Sequence, residues 1–125
     1  MAPEHSQDSV LEKMGKPGHR ALLEFKDRFD QLSRKAGLRQ YLTYYLIAAH
    51  PGCSEADMRK LKDFASHELH ISPEQVQIFT PLPSTYSALM YYTEMDPFTG
   101  EKLFVEKDMG KKEKQKRILI EKKKR

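Results

Sequence analysis

The sequence predicts an α/β fold with two or three parallel strands, flanking helices and a basic C-terminal extension. Residues 41–85 have the pattern of a strand, a tight turn, an amphipathic helix and a second strand, and a polar or proline-rich loop follows each strand. In α/β folds, ligands and chemistry lie at the carboxyl ends of parallel strands, so both loops are candidate sites. A chain of 125 residues holds one domain at most, or a piece of one.

Two helices are predicted before the first strand. Ser6 is a candidate cap for a short helix that ends at Met14. A longer helix is predicted over residues 19–36, and Gly37 suits the left-handed position after its last turn. Its apolar face consists of Leu22, Phe25, Phe29 and Leu32 at helical spacing. We expect this face to be buried.

The first strand is predicted over residues 40–48, an aromatic and β-branched run that suits a strand covered on both faces. Ser54 and Asp57 then form a capping box at the start of the next helix. The inner stripe of that helix is Met58, Leu61 and Ala65. The second strand is predicted over residues 76–79, and the prolines that follow lack the amide donors needed to continue it.

The C-terminal part is predicted to contain a short helix over 85–95, a turn over 96–100, an extended segment over 103–105 and a helix over 111–124. The last helix has only Ile118, Leu119 and Ile120 to bury, and we expect its ends to be frayed or disordered.

Charge is concentrated at the C-terminus, where residues 106–125 hold ten Lys and Arg against four Asp and Glu. Clustered cations can bind phosphate backbones. The candidates for a nucleic-acid contact are Lys111, Lys112, Lys114, Lys116 and Arg117. The alternative is a solvated tail that aids solubility, and no aromatic residue alternates with these cations to stack bases.

Composition sets limits on location and chemistry. The first residues contain no apolar run of the secretory type, and the apolar stretch 41–49 is too short to cross a bilayer. We therefore expect a soluble, cytoplasmic protein with no membrane partner. The one cysteine, Cys53, excludes an internal disulfide and a cysteine-ligated cluster built from this chain alone.

Four features could carry function, and each has a plainer interpretation. The turn His50-Pro51-Gly52-Cys53-Ser54 is either a ligand-contacting loop or an ordinary strand-to-helix turn. The loop 80–85 either lines a small-molecule pocket or simply ends the strand. Cys53 and His50 form a thiol–imidazole pair only if the fold brings them together; otherwise Cys53 is a small turn residue. His67 and His70 have helical metal-ligand spacing but no recognisable third ligand.

The two strand–loop segments resemble a known family. The motifs are I-A-A-H-P-G-C-S-E-A-D-M at 47–58 and Q-V-Q-I-F-T-P-L-P-S-T at 75–85. They resemble the late barrel segments of radical S-adenosylmethionine proteins, most closely the C-terminal part of the YgiQ-type subgroup. A-P-E-H at 2–5 with V-L-E-K-M-G-K-P at 10–17 is similar to the segment just upstream, and G-K-K-E-K-Q-K-R-I-L at 110–119 to the C-terminal extension.

The resemblance implies that residues 1–95 are a slice of a (β/α) barrel, a TIM-barrel fragment, from a longer parent, and that residues 96–125 are the family's C-terminal extension with its basic tail. That parent would hold a 4Fe–4S cluster on three cysteines, which are absent here, and would cleave S-adenosylmethionine to a radical. The resemblance also implies that residues of this chain border the nucleoside part of the cofactor. The implied cofactor-binding residues are Glu4, His5, His50, Pro51, Gly52, Ile78, Thr80 and Pro81.

Three hypotheses follow. In the first, the chain is the catalytically inert C-terminal segment of a radical S-adenosylmethionine enzyme, its partner is the rest of the barrel, and Met1 marks a start inside that longer protein. In the second, the basic C-terminus binds RNA or another partner. In the third, the chain is an independent small α/β protein whose open strand edges are covered by its termini or by self-association.

Overall fold

The computed structural model describes residues 1–121, which form a mixed α/β fold of two parallel strands and five helices. The elements in chain order are α1 (Asp8–Lys13), α2 (His19–Lys35), β1 (Tyr45–Ala48), α3 (Glu55–His67), β2 (Gln75–Ile78), α4 (Tyr86–Thr93) and α5 (Met109–Ile120). β1 and β2 pair in parallel, with Tyr45 opposite Gln75 and Ala48 opposite Ile78. The crossover through α3 makes the predicted βαβ unit.

A third segment lies parallel to β1 on the edge away from β2. Glu4 forms a parallel bridge with Leu46. The Glu4 amide donates to the Tyr45 carbonyl at 3.0 Å, and the Ile47 amide donates to the Glu4 carbonyl at 2.9 Å. The N-terminal segment, β1 and β2 thus lie side by side in one direction, which agrees with the expected two or three parallel strands. Closure into a barrel does not follow from these residues.

The core lies between the sheet and the helices α3 and α5. The two helices pack on each other, and α5 also packs on both strands. One apolar cluster contains Val10, Leu46, Ala48, Cys53, Met58, Leu61, Val76 and Leu119. The predicted inner stripe of α3 is confirmed, because Met58, Leu61 and Ala65 are all buried.

The capping box of α3 is confirmed. The Ser54 side chain accepts from the Asp57 amide at 3.3 Å, and the Asp57 carboxylate accepts from the Ser54 amide at 2.9 Å. By contrast, the cap predicted at Ser6 is wrong. Helix α1 begins at Asp8, with Gln7 in the cap position and no side-chain cap bond, and Ser6 is buried.

Helix α2 has the predicted bounds within one residue, but its apolar face is not covered as expected. Phe25 and Leu32 are each 52% exposed. Among residues 1–121, α2 has no packing partner comparable to the pairing of α3 with α5. The amphipathic pattern therefore predicts the helix correctly and its burial incorrectly, because burial needs a second apolar surface that this part of the chain does not place there.

The strands and the C-terminal helix differ from the prediction at their ends. β1 begins at Tyr45 instead of residue 40, because ladder pairing starts only where β2 lies opposite. Residues 103–105 form no strand, although Met95 and Lys102 make an isolated antiparallel bridge. Helix α5 begins at Met109, earlier than predicted, and residues 122–125 of the predicted tail lie outside the described residues. The division at residue 95 stays a prediction.

No helix within residues 1–121 is long and apolar enough to span a bilayer.

Candidate ligand-binding site

Three left-handed, non-glycine residues mark the carboxyl ends of the three parallel segments. Glu4 has φ 68°, Ala49 has φ 61° just after β1, and Ser84 has φ 61° in the loop after β2. Non-glycine residues rarely adopt this conformation, and such strained positions cluster at ligand-binding and active sites. Two further left-handed non-glycine residues, His70 before β2 and Glu94 after α4, lie elsewhere, so three of the five in the described residues lie at or after the ends of the parallel segments.

A concavity of about 160 Å³ opens at this edge. Its lining includes Glu4, Ile47, His50, Phe79, Thr80 and Ser87. Three of these, Glu4, His50 and Thr80, are predicted cofactor-binding residues, one from each parallel segment. Complete small-molecule sites usually enclose about 300–1,000 Å³. The concavity is therefore smaller than a complete small-molecule site, as expected if it forms only one side of such a site.

His50 is held rigidly in this concavity. Its Nδ1 lies 2.9 Å from the Pro51 carbonyl oxygen, which can only accept, so Nδ1 carries the proton. Nε2 therefore accepts from the Ser87 hydroxyl at 2.9 Å. The ring also packs edge-on against Phe79, with centroids 5.0 Å apart. Burial lowers the pKa of His50, although the Pro51 carbonyl opposes this. The side chain is thus a neutral, oriented wall residue.

Glu4 supplies the anionic group of the concavity, and Thr80 supplies an exposed hydroxyl. The Glu4 carboxylate is partly exposed and lies 3.8 Å from the Lys16 ammonium. Neither side chain is locked by a short hydrogen bond within residues 1–121. The Glu4 carboxylate can therefore accept from a bound molecule, and the Thr80 hydroxyl can donate to it or accept from it, whereas the ring nitrogens of His50 are already used.

His5 does not line the concavity. Its side chain is 1% exposed and points into the core. Nδ1 accepts from the Gln7 amide at 3.0 Å, and Nε2 lies 3.5 Å from the Cys53 sulfur. Burial lowers the His5 pKa to about 4, with Asp57 opposing the shift and His50 adding to it. Glu4 thus lines the concavity, whereas its neighbour His5 is buried in the core.

The remaining predicted residues support the site without lining the concavity. Pro51 is buried in the turn, and Ile78 and Pro81 are half-buried at the end of β2 and just after it. Gly52 has φ +86°, and its amide donates to the Phe104 carbonyl at 2.7 Å. The Cys53 amide donates to the His50 carbonyl at 2.8 Å. These two turn amides are therefore already paired within the chain and are not available to a ligand.

Cys53 is a structural residue of the turn. It is 0% exposed, and burial, with a smaller contribution from Asp57, raises its pKa to about 12. The imidazole facing its sulfur belongs to His5, while His50 turns away towards Ser87. Within residues 1–121, no group of three His, Cys, Asp or Glu side chains has a geometry that could hold a metal ion. These contacts therefore support neither a thiol–imidazole pair of Cys53 and His50 nor a metal site at His67 and His70.

The five basic residues predicted to bind nucleic acid lie in different environments. Lys112 is 6% exposed and donates to the Tyr91 hydroxyl at 2.9 Å. Lys114 lies 3.2 Å from the Glu55 carboxylate. Lys111 and Arg117 are exposed, and Lys116 is half-buried. One of the five is therefore used to pack α5 against α4.

Sequence reasoning missed three residues that build the site. Phe79 and Ser87 orient His50, and Gln115 reaches the same turn from α5. A signal for Ser87 existed, because Thr85 caps α4 and places Ser87 in its first turn. Gln115 had no signal, since it is one polar residue within a run of lysines.

No protein-family model and no solved structure matches the chain. Curated proteins named UPF0313 do match it over almost its full length, in bacteria and in archaea. The chain is 63% identical over 124 residues to such a protein from Fusobacterium nucleatum. It is 45% identical over 124 residues to one from Thermotoga maritima and 41% identical over 119 residues to one from Methanosarcina mazei.

The lengths of these relatives differ greatly from that of the chain. The matches cover 99%, 99% and 95% of this chain, but 22%, 22% and 19% of the respective relatives. The chain thus spans about a fifth of the length of the curated relatives that it matches.

Proposed function

We propose that the chain is a segment of a larger radical S-adenosylmethionine enzyme and forms part of the wall of its S-adenosylmethionine pocket. One observation carries the proposal: Glu4, His50 and Thr80 come from three neighbouring parallel segments and meet at one concavity at their carboxyl ends. This is the edge at which α/β folds bind ligands. The segment would complete a (β/α) barrel together with the rest of the parent, its main partner.

The chemistry of the residues fits a nucleoside-binding wall. A ribose presents hydroxyl groups, and the Glu4 carboxylate can accept hydrogen bonds from them. The Thr80 hydroxyl can donate a hydrogen bond to a neighbouring polar atom or accept one from it. Phe79 and Ile47 give an apolar surface beside them. His50 orders the wall and has no free ring nitrogen in its neutral form. These residues bind and orient, and none of them is placed to react.

The residues do not fit an iron–sulfur cluster. A 4Fe–4S cluster of this class needs several thiolates, and the chain has one cysteine. That cysteine is buried, and its pKa is raised to about 12, so it is a protonated thiol at neutral pH. We therefore assign the cluster and the radical chemistry, in which S-adenosylmethionine is cleaved, to the part of the parent outside this chain.

The test is a chimera in which this chain replaces the matched segment of the longer Fusobacterium nucleatum relative. The chimera is reconstituted anaerobically with iron and sulfide, and S-adenosylmethionine binding is measured by equilibrium dialysis. Glu4→Gln combined with Thr80→Ala should weaken binding by about tenfold, the effect of losing one charge-assisted hydrogen bond, and leave the iron content unchanged. Ser66→Ala, an exposed change on α3 remote from the concavity, is the matched control. Unchanged affinity in the double variant would contradict the proposal.

Reconstitution of the 125-residue chain alone tests the assignment of the cluster. We expect substoichiometric iron and no 4Fe–4S absorption or paramagnetic resonance signal. One cluster per chain, lost on Cys53→Ala, would overturn the claim that the cluster belongs elsewhere. The nucleic-acid alternative stays a prediction: of its five candidate residues, Lys112 is buried and Lys114 is paired with an acid, whereas Lys111 and Arg117 are exposed.

A further inference from the structure

Gln115 is a fully buried polar side chain on α5, a helix that also carries four lysines and one arginine. Its exposure is 0%, the lowest of any polar residue described in α5. The carboxamide oxygen accepts from the Ala49 amide at 2.9 Å, and the carboxamide nitrogen donates to the Cys53 carbonyl at 3.3 Å. One side chain thus bridges the two ends of the turn that carries His50.

Both backbone groups that Gln115 contacts are buried, and within residues 1–121 neither has a backbone hydrogen-bond partner of its own. Ala49 is 1% exposed and Cys53 is 0% exposed. Ala49 directly follows Ala48, the last residue of β1, whose carbonyl accepts from the Phe79 amide. The Ala49 amide itself makes no hydrogen bond to β2 and donates to Gln115 instead. Buried backbone groups without hydrogen bonds are strongly disfavoured, and the Gln115 amide meets this need.

Ala49 also has the left-handed conformation, φ 61°, which turns the chain out of β1 and sends His50 towards Ser87. Such a conformation persists in a non-glycine residue only where the surroundings fix it. A further hydrogen bond joins the backbone of the turn to the C-terminal part of the chain, from the Gly52 amide to the Phe104 carbonyl. Gln115 and Phe104 both lie beyond residue 100, in the block predicted to be an extension.

We propose that Gln115 is a positioning residue, through which α5 holds the His50 turn in the geometry of the ligand-binding wall. The C-terminal helix then acts as a support of the site. The identity of the ligand at this turn rests on the proposed function, whereas the positioning of the turn by Gln115 does not depend on it.

The test compares two variants of the 125-residue chain. Gln115→Met keeps the length and packing of the side chain and removes both hydrogen bonds. Leu119→Ala removes packing from the same helix without touching the turn. Amide hydrogen exchange is followed at Ala49, whose acceptor is Gln115, and at Phe79, whose acceptor is the Ala48 carbonyl.

Gln115→Met should accelerate exchange at Ala49 by about tenfold more than at Phe79, since local opening is separable from global unfolding. Leu119→Ala should accelerate both by the same factor. The ¹⁵N signals of the His50 ring give a second readout: the Nδ1-protonated form should be lost in Gln115→Met and kept in Leu119→Ala. Equal acceleration of the two amides by Gln115→Met, or an unchanged His50 spectrum, overturns the proposal.

If Gln115→Met does not fold, Gln115→Asn carries the same comparison, because its amide is one methylene too short to reach both backbone groups. Failure of both variants to fold while Leu119→Ala folds would also overturn the positioning role, in favour of a purely structural one. Neither readout needs a ligand, so a failure to bind S-adenosylmethionine leaves this result intact.

Discussion

His5 and Glu4 are adjacent in sequence but have opposite roles: Glu4 lines the concavity, and His5 is buried in the core. In the core, His5 has a pKa of about 4, against an ordinary value of 6.5. The folded state therefore binds a proton at His5 less readily than the unfolded state does. The free energy of unfolding is thus unaffected by His5 above about pH 6.5 and decreases as the pH drops towards 4. The whole gap corresponds to about 3 kcal/mol.

We predict that the free energy of unfolding decreases by about 2 kcal/mol between pH 7.5 and pH 5, because within this range the unfolded chain takes up the proton and the folded chain does not. Urea unfolding at several pH values measures it. The lowered pKa of His50 acts in the same direction. His5→Gln should remove most of the pH dependence, whereas His67→Gln, an exposed change on α3, should keep it. A pH-independent wild-type chain would contradict the buried position of His5.

Cys53 is predicted to be unreactive in the folded chain. With a pKa of about 12 and no exposed surface, it has almost no accessible thiolate at neutral pH. We expect iodoacetamide to alkylate it at least about 100-fold more slowly in native buffer than in guanidinium chloride. Ser66→Cys, which adds an exposed thiol on α3, should react in both conditions. Rapid native labelling of the wild-type chain would mean that the turn opens readily.

At the scale of single elements, the capping box of α3 gives a direct test of local stabilisation. Ser54→Ala removes the acceptor for the Asp57 amide and one hydrogen bond to the Asp57 carboxylate. We predict a loss of about 1 kcal/mol in the free energy of unfolding. Ser66→Ala is the matched control on the exposed face of the same helix and should change it by less than about 0.5 kcal/mol. Equal effects of the two changes would show that the cap contributes nothing.

Sequence patterns predict those elements whose signals are local. The Ser54–Asp57 box, the α3 stripe and the βαβ order depend on residues a few positions apart, and the structure confirms them. The start of β1 depends on where β2 lies opposite, and the burial of α2 depends on a distant surface. Gln115 contacts residues more than sixty positions away. Periodicity carries no information on such pairings, so these features could not be predicted.

In the site, the sequence and the family resemblance located the strand ends but not the direction of each side chain. Glu4, His50 and Thr80 line one concavity, and their role in cofactor binding stays a prediction. His5 faces the core, and the Gly52 amide is bonded to Phe104, a residue that no local pattern connects to the turn. A motif therefore predicts the position of a loop more reliably than it predicts which atoms of that loop lack a hydrogen-bond partner within the chain.

At the scale of the whole molecule, large apolar side chains are exposed on more than one surface. Phe25 and Leu32 of α2 are half exposed, Tyr41 in the loop after it is 86% exposed, and Phe98 in the 96–100 turn is 76% exposed. Scattered exposed apolar residues are common, but an amphipathic helix whose apolar face lacks a packed partner is not. In the proposed parent this face would pack on the rest of the barrel. In the isolated chain it remains in water.

We therefore predict that the isolated chain associates with itself through α2, and that sedimentation velocity shows a concentration-dependent increase in mass. Phe25→Glu combined with Leu32→Glu should raise the dissociation constant at least tenfold, because charged side chains would then have to be buried in the contact. Arg20→Glu combined with Gln31→Glu adds two glutamates on the opposite side of the same helix and should leave association unchanged. A chain that stays monomeric at all concentrations would show that the α2 face needs no cover. Association that survives Phe25→Glu and Leu32→Glu would instead place the contact at the open edge of β2 or of the N-terminal segment, where unpaired backbone groups can add a further strand.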